Sequence, residues 1–160
     1  MRVIADAAAI ASGRANVNDR VSLEFSPEVG TVSCDPELLE NALSEVIVNA
    51  IESDADTHVR IRADRQGNTV RLIVADGGPG FTQRALRHAF DPFFSDKPAG
   101  RQTGLGLSRS RRLIELHGGS ITIANSPGGG AQVVILLPDD AHAQTALDGP
   151  DKRDDHAHAA

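Results

Sequence analysis

Asp35-Pro36-Glu37-Leu38-Leu39-Glu40-Asn41-Ala42-Leu43-Ser44-Glu45-Val46-Ile47-Val48-Asn49-Ala50-Ile51 is the most legible stretch of this 160-residue chain. Its first three residues carry a helix start: an Asp able to cap free amides, a Pro tolerated at the first helical position, and a Glu suited to the positive end of the dipole. Leu38, Leu39, Ala42, Leu43, Val46, Ile47, Ala50 and Ile51 then recur at steps of three and four, which predicts a helix with a broad buried face. Glu45 and Asn49 stand four apart, so both project from one side of that helix and can share a ligand.

Outward from this helix the chain alternates strands, turns and helices. On the N-terminal side, Ala-rich residues 3–12 have helical spacing ended by Gly13. Val21-Ser22-Leu23-Glu24-Phe25 and, briefly, Val32-Ser33-Cys34 alternate with period two, predicting two short strands around a turn at Pro27 and Gly30. On the C-terminal side, residues 59–63 and 70–75 are rich in β-branched residues and flank Gln66-Gly67-Asn68, which predicts a hairpin. Residues 81–103 hold no long periodic segment beyond one or two helical turns at 83–88, and a connection of that length points to a functional loop. A helix opening at Gly104 to Leu107 and stopped by Gly118-Gly119 precedes two strands, 121–124 and 132–137, around Pro127-Gly128-Gly129-Gly130.

One domain over residues 1–140 is expected, since 160 residues support one hydrophobic core, and residues 141–160 lack apolar periodicity and are expected to be disordered. A net charge of -6 with scattered Arg residues argues against a nucleic-acid surface, and no apolar run approaches the ~20 residues of a membrane span. A lone Cys34 excludes an internal disulfide and reads as a small buried hydrophobe; with no signal-peptide stretch, the cytoplasm is the expected compartment.

Three short signals carry the chemistry in a fixed order: Glu45 to Ala50 on the helix, Asp76-Gly77-Gly78-Pro79-Gly80 after a strand, and Thr103-Gly104-Leu105-Gly106-Leu107 before a helix. The Asn49 carbonyl is a hard oxygen donor suited to Mg²⁺, and the Glu45 carboxylate can orient a water or a proton. Asp76 can accept from an exocyclic amine such as that of adenine, while Gly78 and Gly80 let backbone approach a flat base. Gly104 and Gly106 leave amides exposed at a helix N-terminus, where phosphate is favoured, and Thr103 adds a hydroxyl. Lys97 in the long loop is a mobile point charge suited to a terminal phosphate.

These residues resemble the ATP-binding domain shared by histidine kinases, gyrase-type topoisomerases, Hsp90 chaperones and MutL, the GHKL or Bergerat-fold group, and within it the histidine kinases. Asn49 matches the Mg-binding Asn of that family's N box. Asp76, Gly78 and Gly80 match its G1 box, Phe90-Asp91-Pro92-Phe93-Phe94 its F box, and Gly104 and Gly106, flanked by Leu105 and Leu107, its G2 box. The resemblance spans residues 35–138 and implies an α+β fold: a two-layer α/β sandwich, its mixed, largely antiparallel sheet covered by helices on one face. It implies ATP and Mg²⁺ as cofactors, a lid between the G1 and G2 boxes that includes Lys97, and catalytic roles for Glu45 and Lys97.

Several residues depart from the family pattern. Kinases of the family often carry Asn where this chain has Glu45, and a position often apolar holds Arg109. None of His58, His88, His117, His142, His156 and His158 sits on a long helix with the acidic residue and Pro that follow the family's phosphoacceptor His. The implied activity is therefore γ-phosphate donation to a histidine on a dimerisation domain elsewhere, with a response regulator as an indirect partner and this domain itself monomeric. Two other readings are a nucleotide-driven switch, in which Glu45 activates water, and an anti-sigma or serine-kinase-like regulator; the Phe93-Phe94 run speaks against both.

Overall fold

The structure, a computed structural model, describes residues 2–15, 18–54, 56–96 and 103–139. Lys97, Arg101, Gln102 and residues 140–160 lie outside the described residues.

The quoted stretch forms α2 (Pro36–Ile51) and begins as its first residues dictate. Asp35 Oδ1 accepts from the amides of Glu37 at 3.0 Å and Leu38 at 3.1 Å, and Pro36 occupies the first turn. Leu39, Ala42, Leu43, Val46, Ile47, Ala50 and Ile51 are buried, each larger side chain contributing about 1.5–3 kcal/mol. Leu38 is 38% exposed, so the buried stripe is narrower at the first turn than the periodicity predicts. The N-terminal helix α1 (Arg2–Ala15) packs on α2 through Ile4, Ala7, Ala8 and Ala11. It runs past Gly13, where the sequence predicts its end; a side chain there would meet nothing within 4 Å, so the glycine weakens the helix without breaking it.

Among the described residues, five strands form one sheet in the spatial order β1-β2-β3-β5-β4: β1 (Val21–Phe25), β2 (Val59–Gln66), β3 (Thr69–Asp76), β4 (Ser120–Asn125) and β5 (Ala131–Pro138). The hairpin β2-β3 turns at Gly67, whose φ of 59° suits glycine, and pairs Gln66 with Thr69. Every pairing is antiparallel except that of β1 with β2. Parallel neighbours need a crossover, which α2 supplies. Residues 26–35 must therefore carry the chain from sheet to helix layer, and the strand predicted at Val32-Ser33-Cys34 does not form; Val32 and Cys34 pack half-buried against the core instead.

Val59, Ile61 and Ala63 on β2, Val70, Leu72 and Val74 on β3, and Val133, Ile135 and Leu137 on β5 are buried, while Arg60 and Arg62 between them are exposed. One face of the sheet is covered by helices, as the α+β sandwich requires. Helix α4 (Gly106–Leu116) packs on α2, where the fully buried Ser110 places its Oγ 2.9 Å from the carbonyl oxygens of Ala42 and Gly106. His117, just past α4, lies with Nδ1 2.7 Å from the Leu113 carbonyl, while Nε2 accepts from the Asp35 amide at 3.1 Å, tying the end of α4 to the cap of α2. No helix among the described residues is long and apolar enough to cross a membrane.

Candidate functional site

A cavity of about 550 Å³ opens between α2, the end of β3 and the start of α4, within the range of small-molecule sites. Glu45, Asn49, Asp76, Gly80, Thr103, Gly104, Gly106 and Leu107 all border it, so three signals spread over some sixty residues of sequence converge. A Cβ at Gly106 would stand 3.1 Å from Glu45 Oε2 and 3.4 Å from Asn49 Nδ2, which brings the carboxylate, the amide and the first turn of α4 together.

At the other end, Asp76 closes β3. Its Oδ1 accepts from the amides of Gly78 at 2.9 Å and Ala131 at 3.2 Å, whereas no described residue bonds Oδ2. Two amides thus aim the carboxylate and leave one oxygen for a ligand. Thr57, buried, accepts from the Gly77 amide at 2.9 Å and holds the glycine loop from behind. Gly78 is seated over Ser53 and away from the cavity lining; a side chain there would overlap the Ser53 hydroxyl. Gly130 is needed for a similar reason, since its Cβ would overlap the Asp76 carbonyl oxygen.

Among the described residues, no side chain caps the start of α4. Leu105 stands at the cap position, 38% exposed and outside the lining, and makes no side-chain bond to the first turn. Amides of that turn have no acceptor within the helix, which favours an anion there. Gly104, with φ 69°, is pressed on the preceding loop: a Cβ would lie 2.5 Å from the Phe93 carbonyl carbon.

Between the glycine loops, α3 (Gln83–His88) forms where one or two turns are predicted, capped by Thr82, whose Oγ1 accepts from Ala85 at 3.0 Å and donates to Asp96. Phe94 lines the cavity under the Arg84 guanidinium, 5.2 Å from its centroid, while Phe90 packs on the core and meets Arg111 at 5.5 Å. Phe93 is 78% exposed and takes φ 66°, the one non-glycine residue in the left-handed region among those described. Asn125 clamps the start of this segment, its Oδ1 accepting from the Phe81 amide at 2.7 Å and its Nδ2 donating to the Phe81 carbonyl at 2.9 Å. His88 pairs with Asp91 at 2.8 Å, and Arg109 points outward.

Sequence reasoning missed Thr57, Ser53, Asn125 and Ala131. Ser53 alone carried a local signal, lying four residues past Asn49 on the same face; the other three act through contacts 20 to 55 residues away.

A cavity bordered by glycine loops, with a buttressed carboxylate at one end and an uncapped helix at the other, defines a nucleotide-binding class of domain. The family described as histidine kinase-, DNA gyrase B- and HSP90-like ATPases matches residues 34–141. Signal transduction histidine-protein kinase AtoS of Escherichia coli (strain K12) is 35% identical over 128 residues, covering 78% of this chain and 21% of AtoS. Sensor histidine kinase component HK1 of Mycobacterium tuberculosis (strain ATCC 25618 / H37Rv) is 39% identical over 109 residues, covering 67% of this chain and 64% of HK1. The catalytic domain of histidine kinase ThkA superposes with a TM-score of 0.71 at 25% identity, over 86% of this chain and 90% of that one. Full-length ShkA, in complex with AMPPNP, superposes with a TM-score of 0.69 at 26% identity, over 85% of this chain and 29% of ShkA. The chain belongs to this ATPase family, as a catalytic ATP-binding domain of the sensor histidine kinase kind.

Proposed function

We propose that this domain binds Mg-ATP in the cavity and donates the γ-phosphate to a histidine on a helical dimerisation domain outside residues 1–160. The observation that carries the reading is the convergence of Asn49, Asp76 and the Gly104–Gly106 turn on one cavity. Asp76 Oδ2 accepts from the adenine amine, the uncapped amides of α4 take the phosphates, and ShkA, of the same fold, holds AMPPNP.

Magnesium, when bound, would neutralise charge on the phosphate oxygens, and Asn49 is the residue to hold it, through a hard amide oxygen. No group of three or more His, Cys, Asp or Glu converges among the described residues. Transfer is then positioning: a ring nitrogen of the incoming histidine bonds to the γ-phosphorus as the bond to the β,γ-bridging oxygen breaks and ADP leaves. Glu45, beside Asn49 and Gly106, takes the ring proton, and Lys97 meets the γ-phosphate from the lid. A response regulator receives the phosphoryl group from that histidine, so its link to this domain is indirect. The domain works as a monomer on the cytoplasmic side.

The test is to supply a histidine-bearing helical hairpin in trans with Mg and γ-labelled ATP. Acid-labile, base-stable label appears on the hairpin and disappears with Asn49→Ala. The proximity of Glu45 Oε2 to the Gly106 turn also favours a second reading, hydrolysis driving a conformational switch. Rapid turnover by the chain alone, abolished by Glu45→Ala, together with an unlabelled hairpin, would establish that reading instead.

A further inference from the structure

Glu45, Asn49 and Ser53 follow one another at four-residue steps and all border the cavity. α2 ends at Ile51 with Glu52 as its cap, and a tighter turn follows in which the Ser53 amide donates to the Ala50 carbonyl at 3.2 Å. Eight residues at close to the helical rise span roughly 12 Å, so the ends of this row, Glu45 and Ser53, border well-separated parts of the cavity. Gly106 faces its Glu45 end; Gly78 and Asp76 face its Ser53 end. A nucleotide laid along the row, as proposed above, has its phosphates at Glu45 and its base at Ser53.

The Ser53 hydroxyl is anomalous in this setting. Its Oγ is buried and has no hydrogen-bond partner among the described residues, one of two such side-chain atoms found. A buried hydroxyl left unpaired is costly, and native structures rarely keep one without a use. It lies beside Gly78 and the Asp76 carboxylate, and rotation about one staggered χ1 bond redirects it.

We propose that Ser53 reads the base: its hydroxyl donates to ring nitrogen N1 of adenine while Asp76 accepts from the neighbouring exocyclic amine. The chemistry of the base selects N1. With the sugar directed toward Asn49 and the phosphates, the edge farthest from the ribose meets Ser53 and Asp76, and that edge carries the amine and N1 side by side as donor and acceptor. N7, the other acceptor near the amine, faces back toward the ribose. Asp76 alone satisfies half of this edge; Ser53 supplies the complementary donor. This rests on the reading of the cavity as an ATP site.

The test compares binding of Mg-ATP and Mg-1-deaza-ATP, in which N1 is a CH group, by calorimetry on the full chain and on Ser53→Ala. The wild-type chain prefers ATP by roughly three- to tenfold more than the variant does, the worth of one ordinary hydrogen bond. The melting temperature of the ligand-free variant is not lowered, because the hydroxyl it loses has no partner. An equal ATP to 1-deaza-ATP ratio in the two proteins, or a lowered melting temperature, would overturn the role of Ser53 while leaving the ATP site standing. Absence of any ATP binding by the wild-type chain would overturn both.

Discussion

The Ala131 amide donates to Asp76 Oδ1 across 3.2 Å, joining the start of β5 to the end of β3. With the Gly78 amide on the same oxygen, the carboxylate of this cavity-lining residue is fixed and its second oxygen has no hydrogen-bond partner among the described residues. Asp76→Asn keeps an acceptor for the two amides if its carbonyl turns inward, but then offers an NH₂ where the base offers another. ATP affinity should fall about 10- to 100-fold, as expected for losing a hydrogen bond to a charged group, with little change in melting temperature. Calorimetry beside a thermal melt checks this; unchanged affinity would remove Asp76 from the site.

Two glycines, Gly130 behind Asp76 and Gly106 in the cavity lining, should respond in opposite ways to the same substitution. Gly130 has φ 84° and no room for a Cβ beside the Asp76 carbonyl, so Gly130→Ala disturbs backbone on both strands and should cost at least about 1–2 kcal/mol. Gly106 opens α4 with an ordinary φ and faces the ends of the Glu45 and Asn49 side chains. Gly106→Ala should leave stability unchanged or raise it by up to about 1 kcal/mol, while weakening Mg-ATP binding by crowding those two side chains. Chemical denaturation with binding on the same samples separates the two; a Gly106→Ala variant that binds normally would contradict the placement of the phosphates.

The sequence reveals what local physics determines. Asp35-Pro36-Glu37 caps α2 and the period of its apolar residues sets its buried face, so helix, start and, Leu38 excepted, stripe are readable. The hairpin at Gly67 is equally local. The parallel pairing of β1 with β2 depends on α2 crossing between them, which no alternation in residues 21–34 records, and so Val32 to Cys34 reads as a strand that does not exist. In the site, Asn49, Asp76 and Gly106 are visible as motifs. Thr57 and Asn125 are not, because each is an ordinary polar residue in a turn or at a strand end until folding brings it to Gly77 or Phe81.

Phe93 combines a left-handed backbone with a ring 78% exposed, so the strain of about 1–2 kcal/mol is offset by little burial. Its amide donates to the Gly104 carbonyl at 2.9 Å, and that bond ties the aromatic run to the turn before α4. Phe93→Gly retains the bond and releases the strain, against a larger unfolded-state entropy. The melting temperature should stay level or rise by a few degrees. A fall beyond about 5 °C would mean that the ring is packed in solution.

Asn125 holds both polar groups of the Phe81 peptide, so the start of the segment leading to α3 is anchored to the end of β4. Gly80 fits beneath it only because it lacks a side chain: a Cβ would come 2.9 Å from Asn125 Oδ1. Asn125→Ala removes two hydrogen bonds at an exposed position, worth together about 1 kcal/mol net. Because the two bonds are exposed and join only the last residue of β4 to the Phe81 peptide, the loss should appear locally. Exchange of the Phe81 amide should quicken by about fivefold, while amides in β3 and β5 keep their protection. ATP should bind more weakly, since Gly80 and Phe81 border the cavity and must now be ordered by the ligand. Uniformly faster exchange across the sheet would show instead that Asn125 supports the whole fold, and the clamp would lose its meaning as a device of the binding site.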